Sequence, residues 1–170
     1  MVSKKIRKIK IPVKVLEHAK TLPLPQAQSD GAAGLDLLAA VAETEPLVLK
    51  KGERALIPTG LILELPLGTE AQIRPRSGLA LKHGVTVLNS PGTIDAGYRG
   101  EICVILGSST GQPPFLPEPH NRTAKVGNVE LGVGDRIAQL VIQPVLNIEM
   151  EEVESVGENT DRGAKGFGST

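Results

Sequence analysis

The chain has no tryptophan, a single tyrosine (Tyr98), two phenylalanines and one cysteine (Cys103). A lone cysteine inside an apolar run cannot close an internal disulfide. That suits a reducing compartment and leaves buried packing as its default role. Net charge of either sign is also missing, because 19 Lys and Arg balance 19 Asp and Glu. No broad electrostatic footprint for nucleic acid exists, and no nucleic-acid partner is expected. The one cluster, Lys4, Lys5, Arg7, Lys8 and Lys10, reads as a short basic arm over residues 1-10. No apolar run approaches membrane-spanning length, and the start lacks a signal peptide's apolar segment. No membrane partner and a cytoplasmic location are therefore expected. His18, His83 and His120 stand far apart, without metal-ligand spacing. Segments free of glycine and proline are scarce, since the chain has 19 and 13 of them. A long helix has almost nowhere to sit.

What remains is a series of short β-rich runs between turn signals, which argues for an all-β barrel or sandwich built as one domain. Strands are expected at 11–16, 47–49, 54–57, 61–65 and 71–74, with turns at Lys51-Gly52 and Leu67-Gly68. Leu22-Pro23-Leu24-Pro25 reads as extended. The alternation of Leu146, Ile148 and Met150 with Asn147, Glu149 and Glu151 predicts a half-exposed last strand. The segment 107–127, rich in proline, reads as an irregular loop.

Several stretches carry candidate chemistry. Residues 89–101, NSPGTIDAGYRGE, lie between the apolar runs 85–88 and 102–106, and the whole reads as a β-hairpin whose tip holds Asn89, Asp95 and Tyr98. Unpaired backbone groups at such a tip can read the edge of a flat ligand. Asp95 and Gly97 can equally be turn formers. Asp36 interrupts an apolar strand and needs a partner, a cation or solvent, unless it lies on the exposed face of an edge strand. Ser77 reads as the cap of a short helix ended by Gly84, and with Arg76 before it this is an anion site in miniature. Gln139 is expected as a buried amide bonded to a ligand or to a neighbouring strand. Phe167 sits in a Gly-rich tail with Arg162, Ser169 and Thr170, which is either a lid over a base and phosphates or a disordered tail.

Five segments in this order, AGLDL (33–37), PRSGLA (75–80), NSPGTIDAGYRGE (89–101), GDRIAQLVI (134–142) and RGAKGFGST (162–170), closely resemble the five motifs of the trimeric dUTPase family. The resemblance implies a jelly-roll-like distorted β-barrel at 11-156 with one short helix, and a flexible Gly-rich C-terminal lid at 157-170. It implies a homotrimer with shared sites, and hydrolysis of dUTP to dUMP and pyrophosphate with Mg2+ on the triphosphate. That activity keeps uracil out of DNA and supplies dUMP for thymidylate synthesis.

By the same resemblance Asp95 is the general base, and Asp36 holds the metal through water. Asn89, Gly92, Thr93, Ile94, Tyr98 and Phe167 contact uracil and deoxyribose. Arg76, Ser77, Gly78, Gln139, Arg162, Gly166, Ser169 and Thr170 hold the phosphates. Lys165 departs from the glycine usual in the last motif, and 107–127 is longer than the family leads one to expect. Two other readings are a dUTP-sensing interaction protein without turnover and a dCTP deaminase-like relative. The chain lacks the Arg-Ser-Ser segment of the latter.

Overall fold

The computed structural model describes residues 9–109, 128–157 and 160. Eleven strands and one helix follow the punctuation of the sequence: β1 (Val13–Val15), β2 (Leu35–Leu38), β3 (Leu47–Leu49), β4 (Arg54–Pro58), β5 (Leu61–Leu63), β6 (Thr69–Arg74), α1 (Ser77–His83), β7 (Val85–Val87), β8 (Gly92–Asp95), β9 (Cys103–Ser108), β10 (Val129–Leu131) and β11 (Arg136–Pro144). A 3-10 turn at Glu17–Ala19 lies between β1 and β2. Glycines 52, 68, 84 and 134 all have positive φ, which explains why the chain turns where it does.

The strands form antiparallel sheets in the orders β1-β5, β3-β10, β2-β11-β6-β8 and β4-β9-β7. They enclose one apolar core in which Leu37, Ile57, Ile102, Leu106 and Ile137 are almost fully buried. The architecture is jelly-roll-like and mostly β with one short helix, but no barrel closes among the described residues.

Four expectations need correction. The runs 85–88 and 102–106 do pair, through Val87 opposite Leu106, but not as a simple hairpin. Between them β8 crosses to the other sheet and pairs with β6, because its alternation puts Gly92 and Ile94 towards the core and Thr93 and Asp95 outward. Ser77 is not the helix cap. Arg76 takes that position with extended backbone, and no side chain caps the end. Gly84 ends α1 as expected, at φ 64, its N–H bonding back to Ala80 and Leu79 carbonyls. Gln139 is exposed rather than buried. Finally, residues 145–157 form no strand, and Leu146, Ile148 and Met150 are 86%, 74% and 90% exposed. Their alternation needs a surface to lie on, and the described part of this chain offers none.

Candidate active site

The four-stranded sheet has two faces of opposite character. Its inward face carries Leu140 beside Ile73 beside Gly92, and Ile142 beside Ala71 beside Ile94. Its outward face is a polar ribbon. One row runs Asp36, Gln139, Arg74, and another runs Gln143, Glu70, Asp95. Directly paired residues share a face, so Asp36 and Asp95 lie on the same side of the sheet.

Asp36 is the centre of the first row. Although β2 is an edge strand, the carboxylate is only 5% exposed. Arg76 Nε lies 3.5 Å from one oxygen and Arg136 Nη1 3.4 Å from the other. Gln139 Nε2 donates to Asp36 Oδ1 at 3.4 Å, which is the neighbouring-strand bond, with Asp36 as the acceptor. Arg76 also donates to the Arg136 carbonyl at 2.9 Å, tying the entrance of α1 to the start of β11.

This gathering depends on a bulge. Arg136 and Gln139 are three apart and would point to opposite faces of a regular strand. A register shift between Arg136 and Ala138 inserts one residue, so both side chains reach Asp36. A cleft of about 380 Å³ borders the cluster, lined by Arg76, Arg136, His83, Asp135 and Glu130 among others. Ser77 and Gly78 lie exposed beside it at the start of α1.

The second row is organised by β6. Gln72 Nε2 donates to Glu70 at 2.7 Å, and Arg74 donates to Gln72 Oε1 from Nε at 3.1 Å and Nη2 at 2.7 Å. Asp95 projects opposite Glu70 and is exposed. Its carbonyl accepts the Tyr98 N–H at 3.0 Å, closing the turn that presents the tyrosine. Asn89 is exposed and packs on Gly92, where an added Cβ would meet Asn89 Nδ2 at 3.2 Å and Ile73 Cβ at 3.4 Å. A side chain at 92 would press on both neighbours, so Asn89 or Ile73 would have to shift by a few tenths of an ångström. Tyr98 is 45% exposed, its hydroxyl donating to the Glu101 carbonyl at 2.9 Å and its ring lying over Gly100.

The chain of bonds Arg74–Gln72–Glu70 links the two rows, but their two aspartates do not meet within one chain. Asp36 and Asp95 are three strand spacings apart and four residues offset along β6 and β11. At about 4.8 Å per strand and about 3.3 Å per residue, that is roughly 14 Å across and 13 Å along, or about 20 Å in all. Phe167, Arg162, Gly166, Ser169 and Thr170 lie outside the described residues, as do the loop at 110–127 and most of the basic arm. Among the described residues no three His, Cys, Asp or Glu side chains are placed to hold a metal ion. No helix among them is long and apolar enough to cross a membrane.

The sequence reading missed Arg136, and period-two alternation gave it no signal, since only the bulge turns it towards Asp36. Glu70, Gln72 and Arg74 were legible as an alternating polar set in TEAQIR.

The dUTPase family model matches residues 20–126 and 120–170. The chain belongs to the dUTPase family. It is 53% identical over 160 residues to a deoxyuridine 5'-triphosphate nucleotidohydrolase of Methylocella silvestris, covering 94% of this chain and 90% of that one. A protein of the same description from Beijerinckia indica is 53% identical over 161 residues, covering 95% and 91%. Among solved structures, the Staphylococcus bacteriophage 80alpha dUTPase with dUPNHPP superposes with a TM-score of 0.77 at 29% identity, covering 96% of this chain and 99% of that one. The dUTPase from phage phi11 of S. aureus gives 0.69 at 26% identity, covering 87% and 98%. The outward face of the sheet carries three of the residues singled out from the sequence, Asp36, Gln139 and Asp95.

Proposed function

We propose that this chain hydrolyses dUTP to dUMP and pyrophosphate. The observation that carries the reading is 53% identity, over nearly the whole chain, to proteins described as deoxyuridine 5'-triphosphate nucleotidohydrolases. Water oxygen forms a new bond to the α-phosphorus, the bond from that phosphorus to the bridging oxygen breaks, and pyrophosphate leaves. Asp95 takes the proton from the attacking water. Its exposure on the polar face suits that task, because a base must reach a solvent molecule.

Asn89 and the backbone at Gly92, Thr93 and Ile94 hold the uracil edge. A cytosine would set a donor against a donor there and leave buried groups unpaired. Tyr98 packs against the deoxyribose and Phe167 covers the base. Arg76, Ser77, Gly78 and Gln139 hold the inner phosphates, with Arg162, Gly166, Ser169 and Thr170 supplied by the lid at 157-170.

Magnesium fits this chain only through water. Asp36 is a single buried carboxylate already shared by two guanidiniums and an amide, so it serves as an outer-shell acceptor. Bound with the triphosphate, magnesium supplies charge withdrawal from the phosphate oxygens.

The sites are shared in a homotrimer. Two features support this: the wide separation of Asp36 from Asp95, and the exposed apolar alternation of residues 146–150. The protein works in the cytoplasm. A second reading, a dUTP-sensing role towards another protein, draws on the phage 80alpha relative, one of the phage dUTPases described as controlling the transfer of virulence genes.

The test is Asp95→Asn with turnover and dUTP binding measured together. Turnover falls by about 10²–10⁴-fold while binding persists. Unchanged turnover removes Asp95 from its role, and a wild-type protein that binds dUTP without releasing pyrophosphate leaves the sensing reading standing alone.

A further inference from the structure

One oxygen of Glu101 draws three segments together. It accepts the Gly60 N–H at 2.7 Å and lies 3.0 Å from His18 Nε2, which donates to it in the Nε2–H form. His18 belongs to the 3-10 turn Glu17–Ala19, and Gly60 to the turn between β4 and β5. Gly60, at φ +68, is packed against Ala19 so closely that a Cβ has no room. The main chain runs the same way. Leu16 N–H bonds the Gly60 carbonyl at 2.8 Å, and Thr59 bonds the Ile102 carbonyl through both N–H at 3.2 Å and hydroxyl at 2.6 Å.

The other side of the same residue receives Tyr98. The phenol donates to the Glu101 carbonyl at 2.9 Å. The remaining bonds of the 95–100 turn are internal: Tyr98 N–H to Asp95, and Arg99 Nη1 to the Ala96 and Tyr98 carbonyls at 2.7 and 2.9 Å. Internal bonds fix the shape of a turn but not its placement on the body of the protein. The ends of the turn are held by the pairing of Asp95 with Glu70 and by the Ile102 N–H bond to the Leu61 carbonyl at 2.8 Å, and the Glu101 side chain, bonded to Gly60 and His18, adds a further hold on the residue whose carbonyl receives the phenol.

We infer that His18 and Glu101 are positioning residues that hold Tyr98 where it discriminates deoxyribose from ribose. The inference rests on the reading of Tyr98 as the sugar contact. Among the described residues His18 bonds to Glu101 and to none of the residues assigned to the nucleotide site, so it acts through Glu101.

The chain supplies its own reporter. Tyr98 is the sole tyrosine and there is no tryptophan, so phenol emission reads this turn alone. His18→Ala, His18→Gln and Tyr98→Ala are compared with the wild type in the full chain, measuring kcat and KM for dUTP and UTP. Losing one net hydrogen bond from the support lowers the dUTP-to-UTP ratio of kcat/KM about threefold to tenfold in His18→Ala. The loss falls mainly on KM for dUTP, and phenol emission changes with it. His18→Gln, which keeps a donor, restores both. Glu101→Gln weakens the same contact and is expected to shift both in the same sense, so it serves where His18→Ala does not fold. An unchanged ratio and unchanged emission in folded His18→Ala overturn the inference. If Tyr98→Ala itself leaves the ratio unchanged, the sugar role of Tyr98 falls, and this inference falls with it.

Discussion

Asparagine in place of Asp36 keeps the shape of the side chain and an acceptor for Gln139 while removing the charge that two arginines share. The cost follows from how buried each partner is. Truncating a fully buried ion pair costs about 3–5 kcal/mol, because the survivor is left uncompensated. Here the carboxylate is 5% exposed, but Arg76 and Arg136 are 25% and 51% exposed. The contacts, at 3.5 and 3.4 Å, are also longer than the ~2.7–2.9 Å of a strong charge-assisted bond. Exposed pairs are worth about 0.2–1 kcal/mol each, so the loss lies between the limits, at about 1–2 kcal/mol. For a domain of this size that is about 3–6 °C in thermal midpoint, read by calorimetry at fixed protein concentration.

Salt provides a second axis. With Asp36 neutral, Arg76 and Arg136 repel each other across the cleft, and screening relieves them as the Debye length falls from about 10 Å at 0.1 M to about 3 Å at 1 M. The variant should therefore gain more from added salt than the wild type does. An Asp36→Asn protein that melts with the wild type at low salt refutes the argument, since the cluster would then contribute nothing net.

Gly92→Ala places a methyl 3.2 Å from Asn89 Nδ2 and 3.4 Å from Ile73 Cβ, so it should cost about 1–2 kcal/mol and raise KM for dUTP; a wild-type midpoint with wild-type KM counts against the reading. Burial first, and the Glu101 charge second, push the Cys103 thiol above its ordinary 9.0. The folded state then holds a proton that the unfolded chain releases. This contribution is fully present below about pH 9 and is lost as pH rises through the folded value. Iodoacetamide should react with Cys103 more slowly at pH 8 than with a free thiol in a peptide, and equal rates would show that the thiol is not shifted.

The strands were legible because glycine and proline mark their ends. Gly52 and Gly68 sit at positive φ where turns were expected, and Gly84 does so where a helix end was expected. The placement of Asp36 was only half legible. An acid among apolar residues announces a need for partners, but Arg76 and Arg136 come from segments 40 and 100 residues away, and the second arrives through a bulge that breaks alternation. The consecutive apolar residues Ile137 and Ala138 are the trace of that bulge in the sequence. β8 was misplaced for a similar reason. Thr93-Ile94-Asp95 has the alternation of a strand, but which sheet it joins depends on β6, some twenty residues earlier. The alternation at 146–150 was real as a pattern and lacks a partner among the described residues.

Strand order sets a limit on what one chain can do alone. Proton removal at the α-phosphorus needs a carboxylate within about 3 Å of the attacking water, and an outer-shell contact to the metal adds only about one further water. Asp36 and Asp95 on one sheet stand about 20 Å apart, too far to serve neighbouring phosphates of a single nucleotide. If both act on one dUTP, they come from different copies. Co-expression of Asp36→Asn with Asp95→Asn then has a definite outcome. Each parent alone has no site with both carboxylates intact. In randomly mixed trimers a site that takes Asp36 from one copy and Asp95 from the next is intact in about one case in four, so turnover should exceed that of either parent. Were both carboxylates drawn from one copy, no mixing could assemble an intact pair. Activity that stays at the average of the parents would place both in one chain, against the separation that the sheet imposes.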